Sequence, residues 1–137
     1  MSQTQDNFGR IRQADLTDLD AITDVLIAAM QEDRDWWNYR FPYRHEFPED
    51  HRRFMGLLVR TWLEPANDDW VVFVSETRAD DQGRLDPDLP FKIVSYAAFD
   101  ISYVNFRKHG PRYKPQSRKY MRTTAFYIVV IYSFVLA

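Results

Sequence analysis

Two apolar segments, Trp70–Thr77 (WVVFVSET) and Phe91–Ile101 (FKIVSYAAFDI), decide the fold class of this chain. Both are rich in β-branched and aromatic residues, and both are short enough to be buried strands. The stretch between them, Arg78–Pro90, holds an Asp-Asp-Gln-Gly run and two prolines, which is typical of a loop. The pattern therefore predicts an antiparallel strand pair with a long connection.

A short strand and two helices are predicted upstream of this pair. The strand is Ile11–Gln13, and the first helix is expected to begin with Thr17 as its N-cap and Asp20 three residues later. Its apolar side chains recur at three- and four-residue spacings: Leu19, Ile22, Val25, Leu26 and Ala29. The second helix is expected to start near Pro48 and to end before Pro65. The order β-α-α-β-β predicts an α+β fold.

Composition limits the classes of protein that the chain can belong to. The 137 residues are 45% hydrophobic and contain no cysteine, which fits one domain and excludes a disulfide scaffold, thiolate metal sites and a cysteine nucleophile. Met1–Arg10 is polar and is followed by no secretory signal, so the sequence favours a cytoplasmic location.

Charge divides the chain into unequal regions. Residues 1–106 carry 11 basic and 20 acidic side chains, a balance of −9, and the last 31 residues carry +7. We therefore predict a folded region over 1–106, a basic connecting segment over 107–122 and an apolar segment over 123–137. The basic segment interleaves Tyr113 and Tyr120 with its cations, as in a phosphate-binding strip, but a solvated connection is the more common use of such a run, and nucleic acid is not an expected partner.

Three alternatives remain open for the apolar segment Thr123–Ala137 (TTAFYIVVIYSFVLA). A membrane anchor has the right basic flank, yet fifteen residues rise only about 22 Å as a helix against about 30 Å of hydrocarbon. A strand suits the β-branched composition, and a non-native tail left by truncation would explain the abrupt change of composition. An exposed apolar run or an unpaired strand edge would also favour self-association.

The region from Phe8 to Ile101 resembles the N-terminal half of the GNAT superfamily of N-acetyltransferases, particularly its fungal members. The resemblance rests on Ile11–Asp15 (IRQAD) as the opening strand, the acidic entry to the first helix, and the aromatic connection between two helices. It also rests on Trp70–Thr77 and on Lys92–Phe99 (KIVSYAAF), where the family commonly has an IVGY-like strand. These motifs are element order and hydrophobic pattern, and they cover about two thirds of the chain.

The resemblance implies transfer of an acetyl group from acetyl-CoA to a small-molecule or peptide amine, without a metal. The family binds the cofactor pyrophosphate with an Arg/Gln-x-x-Gly-x-Gly/Ala turn at a helix N-terminus. This sequence has four glycines, the nearest of them 27 residues apart, so no such turn and no cofactor-binding residue is predicted. We expect an incomplete and inactive acetyltransferase, truncated before the acetyl-CoA-binding half. The alternative is a non-catalytic, membrane-associated or partner-binding protein that keeps half of the fold.

Candidate site residues come mainly from this resemblance, because the family places the connection between its first two helices over the acceptor. The predicted substrate-binding residues are Trp36, Trp37, Tyr39, Arg40 and Phe41, with burial in the core as the alternative. Among other groups, Glu76 and Asp100 lie at strand ends and are weak candidates for a general base, for which burial would be required. The spacing of His45, His51 and His109 is not that of metal ligands.

Overall fold

A computed structural model describes residues 7–31, 34–112 and 129–132 of the chain, and for 34–36 and 129–132 this description covers the backbone. Its sheet is antiparallel and ordered β1-β2-β3-β4. The strands are β1 (Gly9–Gln13), β2 (Trp70–Thr77), β3 (Lys92–Asp100) and β4 (Val129–Tyr132). The predicted α+β class and the β2–β3 pair are confirmed, with β3 one residue shorter at each end than the apolar segment suggested.

Four helices accompany the sheet in the described part of the chain: α1 (Leu19–Met30), α2 (Arg34–Arg40), α3 (Pro48–Leu63) and α4 (Ser102–His109). The bounds predicted for α3 are confirmed, because Pro48 occupies its first turn and the chain leaves the helix at Glu64, next to Pro65. A 3₁₀ turn, Leu16–Asp18, leads into α1.

Thr17, the predicted N-cap of the first helix, is wrong: the N-cap of α1 is Asp18, which makes no side-chain capping hydrogen bond, and Asp15 caps the 3₁₀ turn ahead of it. In the capping box of the 3₁₀ turn, the Asp15 carboxylate accepts the Thr17 N–H at 2.8 Å, and the Asp18 carboxylate accepts the Asp15 N–H at 3.0 Å. The sequence contains two overlapping capping patterns, Asp15 with Asp18 and Thr17 with Asp20. Pairing of Asp18 with Arg12 of β1 favours the first of them.

Two segments expected to be irregular contain helices. The aromatic connection forms α2. Trp37 is its one buried side chain among those described, and this burial results from tertiary packing, since the sequence of α2 has no helical period of apolar residues. The start of the basic region forms α4, which begins ahead of the predicted boundary at residue 106 and runs across it. Asn105 ties α4 to the α3–β2 connection by donating to the Asp68 carbonyl at 2.7 Å and to Asp69 Oδ1 at 3.1 Å.

The core lies between one face of the sheet and helices α1 and α3. Its buried members come from α1, α2, α3, β2 and β3: Ile22, Leu26, Trp37, Met55, Val59, Trp62, Leu63, Val72, Val74, Tyr96 and Ala98. A register shift between Ser75 and Glu76 changes the face that the start of β3 presents. Because side chains alternate along a strand, this shift lets Ile93 pack against the same core.

The predicted apolar segment is described for four residues only. Val129–Tyr132 pairs with β3 from Ala98 to Ser95, which agrees with the strand alternative for these positions. Residues 113–128 and 133–137, including most of the predicted anchor or tail, lie outside the described residues. Within the described ranges, every helix is too short or too polar to cross a bilayer.

Candidate functional site

A cleft of about 360 Å³ lies between the end of α2 and the first two turns of α3. We call it the α2–α3 cleft. Four aromatic side chains and four polar ones, with one proline, form its walls: Phe41, Tyr43, Phe47 and Phe54; Arg40, Arg44, Asp50 and His51; and Pro42. The aromatic connection singled out in the sequence therefore forms a concave surface at one end of the helical layer.

The structure divides the five predicted substrate-binding residues among different environments. Arg40 and Phe41 line the α2–α3 cleft. Trp37 belongs to the core with 4% of its surface exposed, whereas Tyr39 is 88% exposed and is not among the cleft residues. The Trp36 side chain lies outside the described residues. Substrate contact stays a prediction for all five, with core packing established for Trp37.

His51, which forms part of the cleft wall, packs against two aromatic rings. Its ring centroid is 5.5 Å from that of Trp37 and 5.0 Å from that of Phe41, both in edge-on arrangements. Trp37 and Phe41 are themselves 4.7 Å apart, edge to face. Such edge-on contacts are the favoured geometry between aromatic rings, so the three side chains hold one another in place.

The burial of His51 determines its protonation. It is 9% exposed, and no group among the described residues lies within hydrogen-bonding distance of its Nε2. Burial lowers the pKa of His51, and the charges of Arg44 and His45 lower it further. The side chain is therefore a neutral imidazole at physiological pH.

Arg44 is the second polar group that shapes the cleft. Its Nη1 donates to the Phe41 carbonyl at 3.2 Å, which anchors the guanidinium at the turn between α2 and α3. Its Nε is buried, and the described residues offer it no acceptor. Sequence reasoning missed both Arg44 and His51 as site residues, since neither lies in a motif and their approach depends on how the turn folds.

Glu76 is engaged in ion pairs. Arg12 donates to its Oε1 from Nη2 at 2.7 Å, and Arg10 donates to its Oε2. Burial by itself raises the pKa of Glu76, but the hydrogen bonds and charges of Arg12 and Arg10 outweigh burial, so the pKa lies below its usual range. A carboxylate held in this way is a poor proton acceptor, which argues against the general-base role considered for Glu76.

Asp100 has a structural partner as well. Its Oδ1 accepts the Ser102 N–H at 2.8 Å, at the point where β3 ends and α4 begins. Neither strand-end carboxylate lines the α2–α3 cleft. Groups of three or more histidine or carboxylate side chains placed to hold a metal ion are absent from the described ranges.

A second cleft, of about 540 Å³, lies at the opposite end of α3, between the β1–α1 turn and the α3–β2 connection. Trp62 and Trp70 form part of its wall, and its charged lining residues are the carboxylates Asp15, Glu64 and Asp68. Trp37, Tyr39, Arg40 and Phe41 are not among its described lining residues, and the described linings of the two clefts share no residue.

Comparisons with protein-family models, with curated proteins and with solved structures found no match to this chain.

Proposed function

We propose that this chain is the acceptor-binding part of an acetyl-CoA-dependent N-acetyltransferase of the GNAT type. The observation that carries the proposal is the order of the elements. The resemblance implies one strand, two helices and two antiparallel strands. The elements follow in this order, with one further helix, α2, inside the connection between the two, and β4 pairs next to β3. The connection that would cover the acceptor contributes to the α2–α3 cleft.

The same proposal holds that the chain does not transfer an acetyl group by itself. The 137 residues contain no pair of glycines close enough to form a pyrophosphate-binding turn. Glu76 is paired with two arginines, and Asp100 accepts the Ser102 N–H at the start of α4. Neither carboxylate lines the α2–α3 cleft, so neither is placed to take a proton from an amine bound there. Acceptor binding is what the described residues support.

The test uses isothermal titration calorimetry on the whole chain, with acetyl-CoA and with a panel of amines titrated separately. We expect no binding of acetyl-CoA and binding of at least one class of amine. Tyr43 lines the α2–α3 cleft and is 64% exposed, so Tyr43→Ala should weaken amine binding without unfolding the chain. Tyr103→Ala, which removes an exposed tyrosine from α4, is the matched control.

Two results would contradict the proposal in different ways. If acetyl-CoA binds and an amine is acetylated, the chain is a working enzyme and the argument from glycine spacing is wrong. If no amine binds, or if Tyr43→Ala and Tyr103→Ala behave alike, the acceptor role of the α2–α3 connection is refuted.

A non-catalytic partner-binding protein is the second candidate, and the outer face of the sheet favours it. Ile11 of β1 and Phe73 of β2 are 73% and 39% exposed on the face opposite the core. Exposed apolar side chains on neighbouring strands are typical of a covered surface. Light scattering over a range of protein concentrations distinguishes this candidate, since Ile11→Lys would abolish any self-association through that face.

A further inference from the structure

The charge of the α2–α3 cleft favours an anion. Arg40 and Arg44 are among its lining residues, against one carboxylate, Asp50. The cleft also lies at the start of the 16-residue helix α3, whose N-cap, Phe47, provides no side-chain hydrogen bond. The N-terminal end of a helix carries partial positive charge, which adds to the charge of the arginines.

Two buried nitrogen atoms give independent support for a ligand. Arg44 Nε and His51 Nε2 both belong to cleft-lining residues, and neither finds a partner among the described residues. Buried polar atoms are nearly always hydrogen-bonded, and an unmade bond costs free energy. Arg44 Nε can only donate, so it requires an acceptor such as a carboxylate oxygen, whereas the neutral imidazole of His51 can accept an N–H.

The walls of the cleft favour a ligand with a planar aromatic ring. Tyr43, Phe47 and Phe54 are 64%, 57% and 64% exposed, although they are large and lie within one cleft. An aromatic ligand would cover their surface and pack against them edge-on or offset. Because Arg44 Nε and His51 Nε2 are buried, a ligand that bonds to them must displace part of this aromatic wall.

We propose that the α2–α3 cleft binds a small aromatic carboxylate, with the carboxylate on Arg44 and the ring between the aromatic walls. One part of the inference rests on the proposed function. If the chain binds an acetyl acceptor in this cleft, that acceptor is an aromatic amine that also bears a carboxylate. An aliphatic ammonium is repelled by Arg44. An aromatic amine is uncharged at neutral pH because its lone pair is delocalised, so it is nucleophilic without a general base.

Four compounds test the inference by calorimetry and by ¹H–¹⁵N correlation spectra of the whole chain: benzoate, 4-aminobenzoate, aniline and benzylamine. We expect the two carboxylates to bind, aniline to bind more weakly and benzylamine not to bind. The shifted amide resonances should belong to Phe41–Phe54. Arg44→Gln should weaken benzoate binding by on the order of tenfold, the usual size of one charge-assisted hydrogen bond, and should leave aniline unaffected.

Arg53→Gln is the matched control, because Arg53 is an exposed arginine of α3 that does not line the cleft. An unchanged spectrum outside the cleft shows that each variant is folded.

The outcomes separate this inference from the proposed function. Binding of benzoate with exclusion of 4-aminobenzoate supports the carboxylate site and contradicts the amine acceptor. Tighter binding of benzylamine than of benzoate overturns the inference and leaves an amine site in place. Equal losses in Arg44→Gln and Arg53→Gln, or no binding of any compound at millimolar concentration, also overturn it.

Discussion

Replacing Arg12 by methionine should reveal how much the ion-pair network at the start of α1 stabilises the fold. Arg12 Nη1 and Nη2 donate to the two carboxylate oxygens of Asp18 at 2.8 and 2.7 Å, and Nη2 also donates to Glu76 Oε1 at 2.7 Å. Asp18 and Glu76 are only 6% and 5% exposed. Methionine keeps the apolar length of the side chain and removes every donor, so Asp18 loses its cation.

The expected loss follows from this geometry. Removing one partner of a buried ion pair typically costs about 3–5 kcal/mol, because a buried charge is left uncompensated. For two reasons we expect the loss in Arg12→Met to lie near the lower end of this range. The Arg12 side chain is 33% exposed, and Glu76 keeps its ion pair with Arg10. We expect the free energy of unfolding at pH 7 to fall by about 3 kcal/mol.

The assay is urea unfolding followed by circular dichroism, with Arg60→Met as the control. Arg60 pairs with Glu64 at 3.6 Å across one turn of α3, with 63% and 42% of the side chains exposed. An exposed pair of this kind contributes roughly 0.5 kcal/mol or less. Asp18→Asn serves as a milder second variant should Arg12→Met fail to fold.

Measurements at lower pH test the cause of the loss. Hydrogen bonds from Arg12 lower the pKa of Asp18 more than burial raises it, and the pKa of Glu76 is lowered as well. Their contribution is complete above the unfolded-state pKa values of about 3.9 and 4.3, and it is lost as the pH falls through the lower folded-state values. The difference between wild type and Arg12→Met should therefore narrow below about pH 4. Equal losses in the two arginine variants, or a difference that stays constant down to pH 3, would refute the reasoning.

Three further predictions concern buried polar groups. Stability should decrease as the pH drops below about 6.5, by at most about 1.4 kcal/mol per pH unit, because burial lowers the pKa of His51 and the unfolded chain takes up the proton first; His51→Phe should flatten this slope in urea titrations. Asn105→Ala should cost about 1–3 kcal/mol and speed hydrogen exchange in α4, whereas Val104→Ala, at a 43% exposed position, should change the free energy of unfolding by about 0.5 kcal/mol or less. Tyr96→Phe should keep or raise the free energy of unfolding by up to about 1 kcal/mol, since the described residues offer the buried hydroxyl no partner; a loss of that size in thermal or urea unfolding would mean that the hydroxyl is bonded.

Several elements could be predicted because their signals are local. The runs of β-branched and aromatic residues in β2 and β3 favour a strand by their own propensity. Pro48 and Pro65 mark the ends of α3, because the proline ring restricts the backbone locally. The face of α1 that holds Ile22 and Leu26 follows from helical periodicity alone. Each of these properties depends on residues within one or two turns of the chain.

The candidate site depended on contacts that no local pattern contains. Trp37 and Tyr39 are similar residues two positions apart in α2, yet one is buried and the other is almost fully exposed. Packing of α2 against the start of α3 determines which of the two is buried. The same packing brings Arg44 close to His51 at the cleft. From the sequence, the aromatic connection could be selected as a region, but the residues that line its cleft could not.

The sequence by itself determined the α+β class, the β2–β3 pair and the extent of α3. The tertiary structure decided which carboxylates are neutralised, since the register of β1 on β2 places Arg10 opposite Glu76, 66 residues away. It likewise decided that Asp15 caps the 3₁₀ turn that leads into α1, because Asp18 of the same capping box is bonded to Arg12. The physical reason is range: dihedral preferences and hydrophobic periods act between near neighbours, whereas burial and ion pairing are properties of residues that only folding brings together.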